Sequence, residues 1–232
     1  QAQLLERRGD LDKAFETYQM VITRYQASSL YSKARDHQAQ VAHAAADGQI
    51  SSSFLWFKPD IDTKKVVSML ETVRDNAPRS PSAAKAQYAI GKAYESKKWK
   101  ADDAIAAYQK VVDNYPRSAH APEAQYKIGH ILMMGASKGS NQDNSNLNRA
   151  LHTFEDLRQS YPSSKRAGEA SAKIAEIRSR DIQRSFEIGE FYFKKGQTDA
   201  ATIYFQEVLR KTSGGSLHEK AQKRLKSIKA SG

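Results

Sequence analysis

Apolar residues along this chain recur at i, i+3 or i+4, and i+7, the stripe of an amphipathic helix. One such stripe is repeated five times. In each copy a small or branched residue is followed four positions later by a bulky one, then eight positions later by a proline or turn residue. The copies are Ala14–Tyr18–Gln26, Val66–Leu70–Pro78, Ala104–Tyr108–Pro116, Ala150–Phe154–Pro162 and Ala201–Phe205–Ser213. The surrounding wording is also shared: LETVRDNAPRS at 70–80, YQKVVDNYPRS at 108–118 and FEDLRQSYPSS at 154–164. Pro78, Pro116 and Pro162 cannot continue a helix, and each pushes its predecessor out of the α region. Ser80, Ser118 and Ser164, two residues on, are expected to cap the next helix.

A second helix precedes most of these stripes. Ala86–Ile90–Gly91–Tyr94, Ala124–Ile128–Gly129–Leu132 and Phe186–Ile188–Gly189–Tyr192 read as three of them, and the central glycine lets a paired helix come close. Gly9 and Gly196 each stand five residues before the alanine of the next stripe and fit the turn between two helices. This wording resembles the tetratricopeptide repeat, whose helix pairs stack side by side. The expected fold is all-α: a right-handed tetratricopeptide-repeat-like α-solenoid of about five helix pairs plus a C-terminal helix. It is expected to be a single unit over residues 1–232, with N-terminal repeats over 1–118 and C-terminal repeats over 119–232.

The repeats are not evenly spaced. Their leading residues lie 52, 38, 46 and 51 positions apart, against an ideal period of about 34. SSSFLWFKPDID at 51–62 and ASKGSNQDNSN at 136–146 read as insertions. The second is polar and rich in Gly, Ser and Asn, which predicts a loop. A third departure is continuous helical patterning from about Arg166 to Lys195, one helix of roughly 45 Å at 1.5 Å per residue. Ser216 and Glu219 have capping-box spacing and open a last helix with the stripe Leu217, Ala221, Leu225 and Ile228.

The Y-P-x-S turns, the polar insertion before Ala150, and the run Glu176–Asp181 leading into Phe186–Gly196 resemble the BamD/YfiO/ComL family of outer-membrane β-barrel assembly lipoproteins. The likeness extends over nearly the whole chain. Gln26 and Ser213 in place of proline, the 51–62 insert and the lack of a lipid-bearing cysteine depart from it. The resemblance implies a non-enzymatic scaffold held by an N-terminal lipid to the periplasmic face of a bacterial outer membrane. It would bind the barrel-inserting subunit and unfolded outer-membrane proteins through the inner curve of the solenoid.

Composition narrows the chemistry. The 232 residues hold no cysteine, so disulfides, thiolate metal sites and a cysteine nucleophile are excluded. No apolar run approaches the roughly 18 residues of a membrane span. The first residue is Gln1 without an initiator methionine, which implies that the natural N-terminus lies upstream. His37, His43, His120, His130, His152 and His218 include no H-E-x-x-H and no i, i+4 pair, so no metal site is expected. No nucleotide-binding or nucleophile-elbow motif occurs, and Asp102 and Asp103 fit a helix N-terminus. No cofactor and no enzymatic activity are expected. The surplus of Lys and Arg over Asp and Glu gives a net charge of +11, but acidic residues are interleaved throughout and no nucleic-acid recognition motif occurs.

The first helix of each pair is expected to line the inner curve, so its non-core residues are the default contact surface. These are Lys85, Tyr88 and Lys92, then Glu123, Tyr126 and His130, then Gln183, Phe186 and Glu190. Aromatic and cationic side chains together suit an extended peptide, although Tyr88 and Tyr126 equally suit packing between repeats. Lys194 and Lys195 either complement the helix dipole or dock an acidic partner. The apolar run Ser53–Phe57 reads as local packing, and Trp99 as a residue of a helix–helix turn. The membrane is expected to be met only through the upstream lipid. The alternative role is a periplasmic repeat adaptor coordinating cell-envelope or cell-wall processes through protein binding.

Overall fold

The structure is a computed structural model and describes residues 1–47, 62–97, 100–136 and 141–231. The 51–61 part of the first insertion and Trp99 lie outside them. Every regular element of appreciable length among the described residues is an α-helix, and no strand occurs there. The helices are α1 (Ala2–Arg7), α2 (Leu11–Arg24), α3 (Tyr31–Ala46), α4 (Thr63–Asn76), α5 (Pro81–Glu95), α6 (Ala101–Asn114), α7 (His120–Gly135), α8 (Asn141–Ser160), α9 (Lys165–Lys194), α10 (Thr198–Lys211) and α11 (Ser216–Ser231). They make five pairs and a C-terminal helix, an all-α tetratricopeptide-repeat-like solenoid. Contacts divide the chain into two compact units, 1–167 and 168–232, with the division inside α9.

The turns between pairs are built alike. The backbone N–H groups of Ser28, Ser80, Ser118 and Ser164 donate to the carbonyls of Tyr25, Ala77, Tyr115 and Tyr161 at 2.9–3.0 Å. Each serine Oγ then accepts from a backbone N–H at the entry to the next helix: Leu30 (3.1 Å), Ala83 (3.2 Å), His120 (3.0 Å) and Arg166 (3.2 Å) respectively. Ser80 is thereby the N-cap of α5, as expected, whereas Ala119, not Ser118, holds the N-cap position of α7. Gln26 therefore replaces proline without loss of the turn. The turns inside two pairs rest on glycine. Gly9 and Gly196 have φ of 76° and 74°, and the next residues, Asp10 and Gln197, donate back to Leu5 O and Tyr192 O at 3.0 Å. This is a Schellman closure, and only glycine adopts it without steric cost.

Two further expectations are corrected. Residues 141–146, expected in a loop, form the start of α8; the polar run there has helical hydrogen-bonding capacity and continues the helix that carries Phe154. Ser216 is not a cap residue. It is the first residue of α11, and Gly215 (φ 93°) occupies the place of the turn serines, its carbonyl accepting from Glu219 N–H at 3.1 Å.

The core follows the glycine rule. Tyr108, Phe154 and Phe205, on the second helices α6, α8 and α10, are fully buried. Gly91, Gly129 and Gly189 sit against these rings so closely that a Cβ would stand 2.5, 2.7 and 2.8 Å from them. A neighbouring aromatic of the first helix then covers each ring: Tyr88 on Tyr108 (5.4 Å), Tyr126 on Phe154 (5.6 Å) and Phe186 on Phe205 (5.6 Å), all tilted by 46–56°. Buried amides join the pairs of the first unit. Gln87 donates to Ala107 O (3.0 Å) and accepts from Arg74 Nη1 (2.9 Å), while Gln38, Gln19 and Asn76 bond one another at 2.6–2.8 Å.

Candidate functional site

Successive first helices of the unit over 1–167 are linked through charged side chains. Tyr108 O–H donates to Glu95 Oε2 at 2.6 Å, and Glu95 Oε1 accepts from Lys127 Nζ of α7 at 2.9 Å. The first repeat makes the same relay: Tyr18 O–H donates to Glu6 Oε2 at 2.6 Å, and Glu6 meets His37 Nδ1 of α3 at 3.1 Å. Lys92 reaches Asp47 at the end of α3 (3.6 Å), and Glu123 receives Arg166 of α9 at 2.8 Å. The sequence reading missed Glu95 and Lys127. The signal was available, because a tyrosine lies 12–13 residues after a glutamate in both repeats.

Burial raises the pKa of Tyr108 first, and the hydrogen bond to Glu95 raises it further, so the phenol stays a donor. The hydroxyl–carboxylate bond is charge-assisted. Tyr108→Phe is expected to cost about 1.5 kcal/mol, since Glu95 keeps Lys127; a urea midpoint equal to wild type would refute the relay.

Beside this relay lies a pocket of about 410 Å³, lined by Tyr88, Lys92, Glu95, Ser96 and Lys127. Of the residues expected at the contact surface, Tyr88 and Lys92 meet here. Lys85 is exposed on the same helix. Tyr88 also stacks on His120 (5.1 Å, 18° between planes), so it both packs between repeats and lines the pocket. Glu123, Tyr126 and His130 belong to the next repeat and not to the pocket lining. There Arg166 lies over the Tyr126 ring at 4.5 Å, and Tyr126 and His130 stack at 6.3 Å. The arrangement offers an aromatic face, a hydroxyl, ammonium groups and a carboxylate. Among the described residues no group of three or more His, Asp or Glu side chains is placed to hold a metal ion.

In the unit over 168–232, Glu190 is held by Arg224 of α11 through two bonds at 2.5 and 2.9 Å, and Arg224 lies over the Phe193 ring at 4.8 Å. Gln183 donates to Glu187 along α9 at 2.7 Å. Phe186 packs on the core. Lys194 and Lys195 are exposed at the end of α9, with Lys195 Nζ 5.8 Å from the centre of the exposed Phe191 ring. No helix among the described residues is long and apolar enough to cross a membrane.

The family matches agree with this architecture. Residues 1–28 match the tetratricopeptide repeat model. A solved structure similar to the chain is that of a tetratricopeptide repeat protein from Parabacteroides merdae ATCC 43184, with 12% identity, 98% of this chain and 95% of that chain covered, and a TM-score of 0.34. No curated protein matches. Residues 60–229 match the YfiO model, described as outer membrane lipoprotein. That match takes in most of the chain, from α4 into α11, and the chain belongs to the YfiO family of outer membrane lipoproteins.

Proposed function

We propose that this protein is a non-enzymatic, protein-binding scaffold of the machinery that assembles β-barrel proteins into the outer membrane. In this reading it is lipid-anchored upstream of residue 1, faces the periplasm, and binds the barrel-inserting subunit and unfolded outer-membrane proteins. The family match over 60–229 carries the reading. The pocket on the first-helix layer supports it, because Tyr88 flanked by Lys92, Lys127 and Glu95 can bury an apolar side chain and hydrogen-bond the backbone of an extended segment. Lys85, Glu123, Tyr126 and His130 extend the proposed contact surface within the unit over 1–167, and Gln183, Phe186, Glu190, Lys194 and Lys195 make a further proposed contact surface on the unit over 168–232.

The test is recovery of partners from detergent-solubilised outer membranes on immobilised protein. Barrel-assembly subunits are expected in the eluate. Tyr88→Ala is expected to weaken capture of an unfolded outer-membrane protein by about tenfold, with its helical circular dichroism retained. Recovery of other envelope proteins with no barrel-assembly subunit would favour the cell-envelope adaptor.

A further inference from the structure

Helix α11 divides into two unlike halves. Leu217, Leu225 and Ile228 pack with buried Ala221 on the core of α9 and α10. Its one arginine, Arg224, turns inward to Glu190. The opposite half holds Lys220, Lys223, Lys226 and Lys229, all exposed. None of these four lysines forms an ion pair with another described residue. Lys92, Lys127, Lys173 and Lys211, by contrast, each have a carboxylate partner. The single acidic residue of α11 is Glu219. At 1.5 Å per residue the four ammonium groups spread over about 14 Å of helix.

We propose that this face of α11 lies against an anionic lipid bilayer, as a contact separate from any lipid anchor and from the first-helix pocket. The residue types select that partner. The remaining exposed positions of the helix are Ser216, Glu219, Gln222, Ser227 and Ala230, with no aromatic, Met or branched apolar side chain. Protein interfaces are enriched in aromatic residues, Met and Arg, and depleted in Lys, so the face lacks the core such an interface needs. Single-stranded nucleic acid would want aromatic platforms among the charges. A bilayer needs neither. Its phosphate headgroups diffuse laterally and adjust to any lysine spacing, and each lysine near the surface strengthens binding about fivefold.

The test is co-sedimentation of the full chain with vesicles of phosphatidylcholine alone and of 7:3 phosphatidylcholine and phosphatidylglycerol. Binding is expected only to the second, and is expected to vanish in 1 M NaCl, where the Debye length falls to about 3 Å. The variant K220E/K223E/K226E/K229E is expected to bind at least about 100-fold more weakly. K33E/K64E/K110E/K165E, which has the same net charge and alters four exposed lysines of the other unit, is expected to stay within a few-fold of wild type. Circular dichroism on both variants checks that the helices persist. Equal loss in the two variants would mean net charge alone acts, and would overturn the assignment. So would unchanged vesicle binding by the α11 variant, including the case in which that variant instead loses an acidic protein partner. Tyr88→Ala is expected to leave vesicle binding intact, so this proposal and the scaffold function fail separately.

Discussion

Gly129→Ala is expected to destabilise the wild-type protein and to stabilise a protein in which Phe154 has already been cut back to alanine. In the native chain the new methyl would stand 2.7 Å from Cε1 and Cζ of the Phe154 ring. That ring is fully buried and closed in by Tyr126, so it has little room to retreat. Overpacking of this kind costs about 1–3 kcal/mol. Phe154→Ala alone removes a whole buried ring and is expected to cost about 3–5 kcal/mol. Once the ring is gone the clash is gone, and alanine exceeds glycine in a helix interior by about 1 kcal/mol. The sign of the Gly129 substitution therefore reverses between the two backgrounds. Urea unfolding followed by helical circular dichroism reads all four corners of the cycle. An equal penalty in both backgrounds would show that Gly129 is required for some reason other than the Phe154 contact.

The contact tested there was legible because it recurs. Gly91 with Tyr108, Gly129 with Phe154 and Gly189 with Phe205 repeat one sentence of the sequence, and three similar close approaches result. The same holds for the turn serines, whose spacing from the preceding helix is constant. Helix α3 was harder to see. It places Gln38, Val41 and Ala42 as α5 places Gln87, Ile90 and Gly91, but three residues further from its turn serine. Its stripe is also mostly alanine, so it contrasts weakly with its polar face. The start of α8 was misread for a related reason. Ser, Asn and Gly compete with helical hydrogen bonding locally, and local composition says nothing of the stable helix downstream that extends into the segment.

Contacts between repeats were the least legible part. Within one helix, spacing identifies neighbours. Glu95 and Lys127 are 32 residues apart, and Glu190 and Arg224 34 apart, and only the stacking of helices brings them together. Read one helix at a time, Lys92, Glu123 and Glu190 are free surface charges. In the fold each spans to another helix, so the first-helix layer that forms the candidate contact surface is also cross-linked by its own ion pairs. Partly exposed pairs contribute only modestly one by one. Within the unit over 1–167, the Lys92–Asp47, Lys127–Glu95 and Arg166–Glu123 pairs tie together the helices around Tyr88.

The unit over 1–167 is expected to lose about 2 kcal/mol of stability as the pH falls from 7 to 4, through His43. Its ring sits in α3 with Nε2 buried and without a hydrogen-bond partner among the described residues. Burial lowers its pKa from 6.5 to about 4; Lys85 adds to the shift, as do His120 and Lys92, while Asp47 opposes it. The unfolded chain therefore takes up a proton near pH 6.5 that the folded chain refuses until about pH 4. Stability is complete above pH 6.5 and declines through that window. A fully enclosed group would give roughly 3.4 kcal/mol at 1.36 kcal/mol per pKa unit, and partial solvent access lowers this to about 2 kcal/mol. His120 of α7 acts in the same direction, its pKa lowered by burial and then by Lys85. His43→Gln fills similar space and cannot take up the proton, so the dependence of the urea midpoint on pH between 6.5 and 4 should flatten, leaving the smaller slope due to His120. An unchanged slope in that variant, or a His43 ring that titrates near 6.5 by NMR in the folded protein, would show that the ring is solvated and that the cations of α5 and α7 do not act on it.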